Sequence, residues 1–134
     1  MLRIKGFADR ADSAHTLARL AGVQGEWSTR LGAALRHACS QLRGHSRPHV
    51  LLLTDGQPHD VDVHDSCYLP ADLQQAVHEA RRAGIAVSCL NVLGADTASM
   101  DEHRVMQSAL GVHACRAVHA LGDLPQQVLA CLAR

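Results

Sequence analysis

Val50-Leu51-Leu52-Leu53-Thr54-Asp55-Gly56 is a short apolar run that stops abruptly in a hydroxyl, a carboxylate and a glycine. Branched and leucine side chains packed into so few positions suit a strand covered on both faces, as in a parallel sheet. Gly56 permits a tight exit. In open α/β sheets, ligands gather outside the carboxyl ends of the strands, and Asp55 stands at such an end. Two readings of Asp55 are open on this segment: a site carboxylate, or an aspartate that merely shapes the turn before a glycine.

Outward from that strand, helical and extended periods alternate. Upstream, Leu31, Ala34, Leu35, Ala38, Cys39 and Leu42 recur at helical spacing from Thr29 onward, and Gly44 and Pro48 break the pattern. Further upstream, Asp12-Ser13 predicts a cap for a short helix through Leu17 and Leu20, closed at Gly22 by a left-handed residue. Leu2 to Phe7 alternates apolar and basic residues and reads as a short edge strand. Downstream, Pro70 suits the first turn of a helix carrying Leu73, Ala76, Val77 and Ala80 on one face, with Gly84 at its end. Ile85 to Val92 reads as a second buried strand. Ser99-Met100-Asp101-Glu102 fits a capping box before Val105, Met106, Ala109 and Leu110, and Ala114 to His119 reads as a last strand. Asp123 is expected to cap a closing helix with Val128, Leu129 and Leu132. The connections are too long for hairpins, so the expected class is α/β: a three-layer, doubly wound, mostly parallel sheet.

Composition narrows the function. The chain has 134 residues, one domain's worth, and its 13 Lys plus Arg balance 13 Asp plus Glu, which leaves no global field to attract nucleic acid or an acidic membrane. Arg81-Arg82 falls at a helix end, where cations complement the macrodipole. Trp27, Tyr68 and Phe7 are the sole aromatics of their kinds, too few for a base-stacking surface. Cys39, Cys67, Cys89, Cys115 and Cys131 are odd in number and widely spaced, with no C-x-x-C pair, the pattern of reduced thiols in a cytosolic protein. Neither a signal peptide nor a membrane-length apolar run is present, so the expectation is a soluble, cytoplasmic chain. Gly-rich nucleotide loops and Gly-x-Ser-x-Gly are also absent.

The order of the motifs resembles a von Willebrand factor type A domain. Thr54-Asp55-Gly56 after an apolar strand resembles that family's third metal motif, and Ser28-Thr29-Arg30-Leu31-Gly32 resembles the loop and helix that supply its threonine. Thr54 to Asp62, with Tyr68, Asp72, Ala76-Val77 and Glu79 to Ile85, resembles more narrowly the NorD and CbbO group. That group implies a non-enzymatic, metal-dependent interaction module working with a MoxR-type AAA+ ATPase to activate a metalloenzyme, nitric oxide reductase or rubisco. The family's Asp-x-Ser-x-Ser motif has no counterpart here; Asp12-Ser13-Ala14-His15 has the wrong spacing and place. By this resemblance residues 1–134 form a single partial domain, its C-terminal portion, without the first two strands and first helix.

Such a domain holds Mg²⁺, or Mn²⁺, through oxygen donors, which suits a hard cation. The resemblance assigns Thr29 a hydroxyl and Asp55 a carboxylate, an incomplete set, so metal binding is expected to be weak or absent. No residue is assigned a catalytic role. The competing reading is a small metal-dependent hydrolase using His59, Asp60, Asp62, His64 and Asp65, since imidazole with carboxylate suits transition metals. Against it, alternate residues of an extended segment point to opposite sides. A chain without its central strand is expected to expose pairing edges and to self-associate.

Overall fold

Three apolar runs pair side by side: β1 (His49–Thr54), β2 (Ala86–Val92) and β3 (Cys115–Val118) form one parallel sheet in the order β1-β2-β3. The computed structural model describes residues 3–24, 30–56, 58–93 and 97–133, with backbone alone at 97–99. Parallel neighbours need crossovers, and these are helical. α3 (Tyr68–Arg82) links β1 to β2, and α4 (Thr97–Leu110) links β2 to β3. Before the sheet come α1 (Ala14–Ala21) and α2 (Leu31–Gln41), and after it α5 (Leu124–Leu132).

The alternation of side chains along the strands sorts them between two cores. On one face Val50, Val87, Cys89 and Cys115 meet Leu35 of α2, Leu73, Ala76 and Val77 of α3, and Met106 and Leu110 of α4. On the other, Leu90 and Val118 pack with Cys131, Val128 and Leu124, so α5 covers that side. Helices on both faces of a parallel sheet make the three-layer α/β class expected from the sequence. Gly84, just past α3, has φ +74°, the left-handed conformation in which a glycine ends a helix at least strain. Arg81, in the last turn of α3, donates from Nη2 to the carbonyl of Leu110, the final residue of α4. Its charge thus serves the neighbouring helix end.

Several local expectations are corrected. Residues 3–7 form no strand. Instead Arg3 Nη2 donates to Gln41 Oε1 at 2.7 Å, and the Phe7 ring lies 4.7 Å from that of His45, so this segment leans on the end of α2 through side chains. Ser13 does cap α1, accepting from the Thr16 amide at 3.1 Å, yet Gly22 has φ −85° and Leu17 and Leu20 are exposed. α4 begins at Thr97, which places Ser99 inside the helix rather than at its cap. Asp123 occupies the N-cap of α5 without a side-chain capping bond, because a 3₁₀ turn at Leu121–Asp123 leads into the helix instead. Leu129 and Leu132 face outward. Among the described residues, no helix is long and apolar enough to cross a membrane.

Candidate functional site

β1 delivers Asp55 to the carboxyl end of the sheet, and the turn behind it is made by its neighbour. The Thr54 hydroxyl donates to the Gly56 carbonyl at 2.9 Å and accepts from the Gly56 amide at 3.3 Å. Thr54 is buried and Asp55 exposed, so the hydroxyl shapes the bend while the carboxylate is left outward. Of the two readings of Asp55, the turn-shaping role therefore falls to Thr54. Gly56 is needed for a different reason from the one its position suggested: it is not among the glycines with positive φ, but a Cβ there would stand 2.9 Å from Glu102 Oε2 of α4. An unforeseen second carboxylate thus lies against the tip that bears Asp55.

The polar loop beyond is pinned from inside. Pro58 and Asp60 are buried while His59 and Val61 are exposed. The Asp60 carboxylate, 1% exposed, pairs with Arg30 Nε, and its Oδ1 accepts from the Asp62 amide at 3.0 Å. Arg30 Nη2 lies 3.9 Å from Asp62 Oδ2. Asp65 Oδ1 accepts from the Cys67 amide at 2.9 Å, bending the chain into α3. His59, Asp62, His64 and Asp65 remain exposed, and of these Asp62 alone is shown against Asp60, through its amide and the shared Arg30. Among the described residues, no group of three or more His, Cys, Asp and Glu is placed to hold a metal ion.

Thr29, the expected hydroxyl donor, lies outside the described residues; Arg30 beside it is the N-cap of α2 and makes no side-chain capping bond. Among the described residues the donor chemistry at the tip is oxygen-only, right for a hard cation. Thr54 is committed to its turn and Asp60 to Arg30, which leaves Asp55 with Glu102 nearby. Near-octahedral Mg²⁺ demands more than this. The described residues do not complete a magnesium site.

Two further groups escaped the sequence reading. Arg36 of α2 bridges to α3, with Nη1 at 2.7 Å from Asp72 Oδ1 and Nε at 2.7 Å from Glu79 Oε2. That guanidinium holds the Glu79 carboxyl below its ordinary range. Beneath the sheet tip, Asn91 is wholly buried opposite Thr54, its Nδ2 3.5 Å from His103 Nδ1, while its Oδ1 has no hydrogen-bond partner among the described residues. Cys115 Sγ lies 3.9 Å from the same His103 nitrogen. The signal for His103 was present: it stands three residues before Met106 and seven before Leu110, on the buried stripe of α4.

Burial, and then the nearby His119, push the His103 pKa below its ordinary value. The unfolded chain therefore binds a proton more readily than the folded one. Stability is expected to be fully present above about pH 6.5, the unperturbed histidine value, and to fall as pH drops toward the lower folded value. Urea midpoints across pH 7.5 to 5 check this. Loss of that slope in His103→Gln is the expected result, and an unchanged slope assigns it elsewhere.

The family profile of the von Willebrand factor type A domain matches residues 3–120. Protein NorD of Stutzerimonas stutzeri is 38% identical over 80 residues, which cover 58% of this chain and 13% of that protein. Protein NorD of Brucella suis biovar 1 is 38% identical over 76 residues, 55% of this chain and 12% of that protein. An uncharacterized protein of Pseudomonas aeruginosa is 33% identical over 113 residues, 83% of this chain and 18% of its own length. The chain thus spans less than a fifth of these curated relatives.

Proposed function

The chain belongs to the von Willebrand factor type A family, and on that premise we propose that it is a non-enzymatic protein-interaction module of a NorD-type activation protein, its docking surface centred on Asp55. The partner in this reading is a MoxR-type AAA+ ATPase, and the final target a metalloenzyme such as nitric oxide reductase or rubisco. One observation carries it: Asp55 is held outward at the strand end by a turn that Thr54 makes, in a chain that is 38% identical to a NorD protein over 80 residues. An exposed carboxylate on a rigid element is suited to recognition. No nucleic acid and no inserted membrane segment enter this reading, and the site of action is the cytoplasm.

The metal-dependent hydrolase reading lacks a corresponding observation. Its residues His59, Asp60, Asp62, His64 and Asp65 lie along one loop with Asp60 turned inward to Arg30 and His59, Asp62, His64 and Asp65 exposed.

Replacing Asp55 with Ala in the longer parent protein is expected to weaken ATPase association by roughly tenfold or more, the scale of an interface hot spot. Pull-down and a titration, with circular dichroism to verify folding, check it. Unchanged association and unchanged activation of the target enzyme sink the reading. A separate expectation concerns metal: Mg²⁺ or Mn²⁺ titrated calorimetrically into the 134-residue chain is expected to bind weakly or not at all. Tight binding that disappears in Asp55→Ala overturns the statement that the site is incomplete.

A further inference from the structure

Arg30 at the start of α2 and the loop leaving β1 are far apart in sequence and joined by charged contacts. Asp60 is a carboxylate with 1% of its side chain exposed, whereas Arg30, which meets it through Nε, is 54% exposed. This is unlike an ordinary surface ion pair, which contributes little because water already satisfies both partners. Here one partner is inside, and a buried carboxylate without its cation is strongly disfavoured. The pair also has directionality. A guanidinium bound through Nε is held in its own plane, and the same side chain reaches Asp62 through Nη2 at 3.9 Å. On the loop side the Asp60 Oδ1 accepts from the Asp62 amide at 3.0 Å, and the Asp60 carbonyl accepts from the Val63 amide at 3.3 Å. On the helix side, the Arg30 carbonyl accepts from the Ala34 amide at 3.0 Å, closing the first turn of α2. Each member of the pair is therefore anchored in its own backbone. Along the chain, β1 and Asp55 fall between the two anchors.

We propose that Arg30 and Asp60 are positioning residues: a clamp that locks the start of α2 to the loop beyond Asp55 and makes the two a single rigid docking surface. The docking part of this statement rests on the function proposed above. The clamp explains the burial pattern of the loop, in which Pro58 and Asp60 turn inward and His59 and Val61 are displayed. It also explains why an aspartate stands at a position where a polar loop residue would ordinarily face water.

Amide hydrogen exchange on the full chain tests the clamp directly. Asp60→Asn keeps the side-chain oxygen that accepts from the Asp62 amide and removes the charge that meets Arg30. It is expected to speed exchange at Ala34 by roughly 10- to 100-fold, the range for losing a hydrogen bond to a charged group. Arg30→Gln is expected to speed exchange at Asp62 and Val63 by a similar factor, and Arg30→Lys, which keeps the charge, to recover part of the protection. Effects confined to the substituted loop overturn the clamp, whatever happens to docking. In ATPase titrations Asp60→Asn is expected to weaken association, with Asp55→Ala as the reference for loss of the surface itself. Association lost in Asp55→Ala but unchanged in Asp60→Asn overturns the positioning role. If the unsubstituted parent does not bind the ATPase, the function proposed above fails, while cross-loop exchange still decides whether the clamp exists. Asp55→Ala leaves exchange at Ala34, Asp62 and Val63 unchanged if the clamp is independent of the carboxylate it frames, and accelerated exchange there overturns that independence.

Discussion

Leu73→Ala is expected to remove about 2–5 kcal/mol of folding stability, the range for emptying a leucine-sized volume in a close-packed core. Leu73 is fully buried and belongs to the cluster in which α2, α3 and α4 meet the sheet. Its neighbours on the same α3 stripe, Leu69, Ala76, Val77 and Ala80, are buried as well, so the helix has no second apolar face with which to compensate. Collapse into the gap is also resisted from the α2 side. A Cβ added at Gly32 would already overlap the Asp72 carboxylate, and Asp72 is tied to Arg36 at 2.7 Å, which leaves α2 and α3 little freedom to move together. Domains of this size are stable by about 5–15 kcal/mol, so the loss is a large fraction of the total. Leu129→Ala is the control. That side chain is 68% exposed on α5, and its truncation is expected to change stability by no more than about 0.5 kcal/mol. Urea unfolding at fixed pH, with the m-value checked for constancy, separates the two. A loss of less than about 1 kcal/mol at Leu73 would mean that α3 does not pack on the sheet as described.

What was legible in the sequence follows the physics of local pattern. Val50 to Thr54, Ala86 to Val92 and the stripes of α2 and α3 are written in residue spacing, since burial on one face repeats with the period of the backbone. The outward Asp55 followed from the strand-end position. Contacts that join distant residues leave no such trace. Nothing near Arg30 signals that its partner is Asp60, and the loop's run of His and Asp invited a metal reading in which Asp60, here turned inward to Arg30, was a ligand. Gly56 looked like a turn glycine because the Glu102 carboxylate against it comes from α4, far along the chain. The segment before Phe7 failed for the opposite reason. Its alternation was real, but its Arg3 and Phe7 side chains find partners in Gln41 at the end of α2 and His45 beyond it rather than across a sheet.

The same strand that reveals the fold also carries a liability. Among the described residues β1 pairs with β2 alone, and its other side has no strand partner among them. Edge strands are usually protected by a lysine, a proline or a bulge. His49–Thr54 has none of the first two, and its Val-Leu-Leu-Leu interior has the composition of a strand covered from both sides. Leu53 is 59% exposed on that strand. The 134-residue chain is therefore expected to self-associate in a concentration-dependent manner, seen by sedimentation velocity. Leu53→Lys is expected to weaken that association by roughly tenfold or more, because joining two edges would force an ammonium group against apolar surface. Stability of the single chain is expected to be almost unaffected, since the replaced side chain is already largely in water. A sharp, concentration-independent two-state melt of a monomer contradicts the exposed edge. Association that persists unchanged in Leu53→Lys shifts the contact away from β1, to the exposed leucines Leu129 and Leu132 of α5.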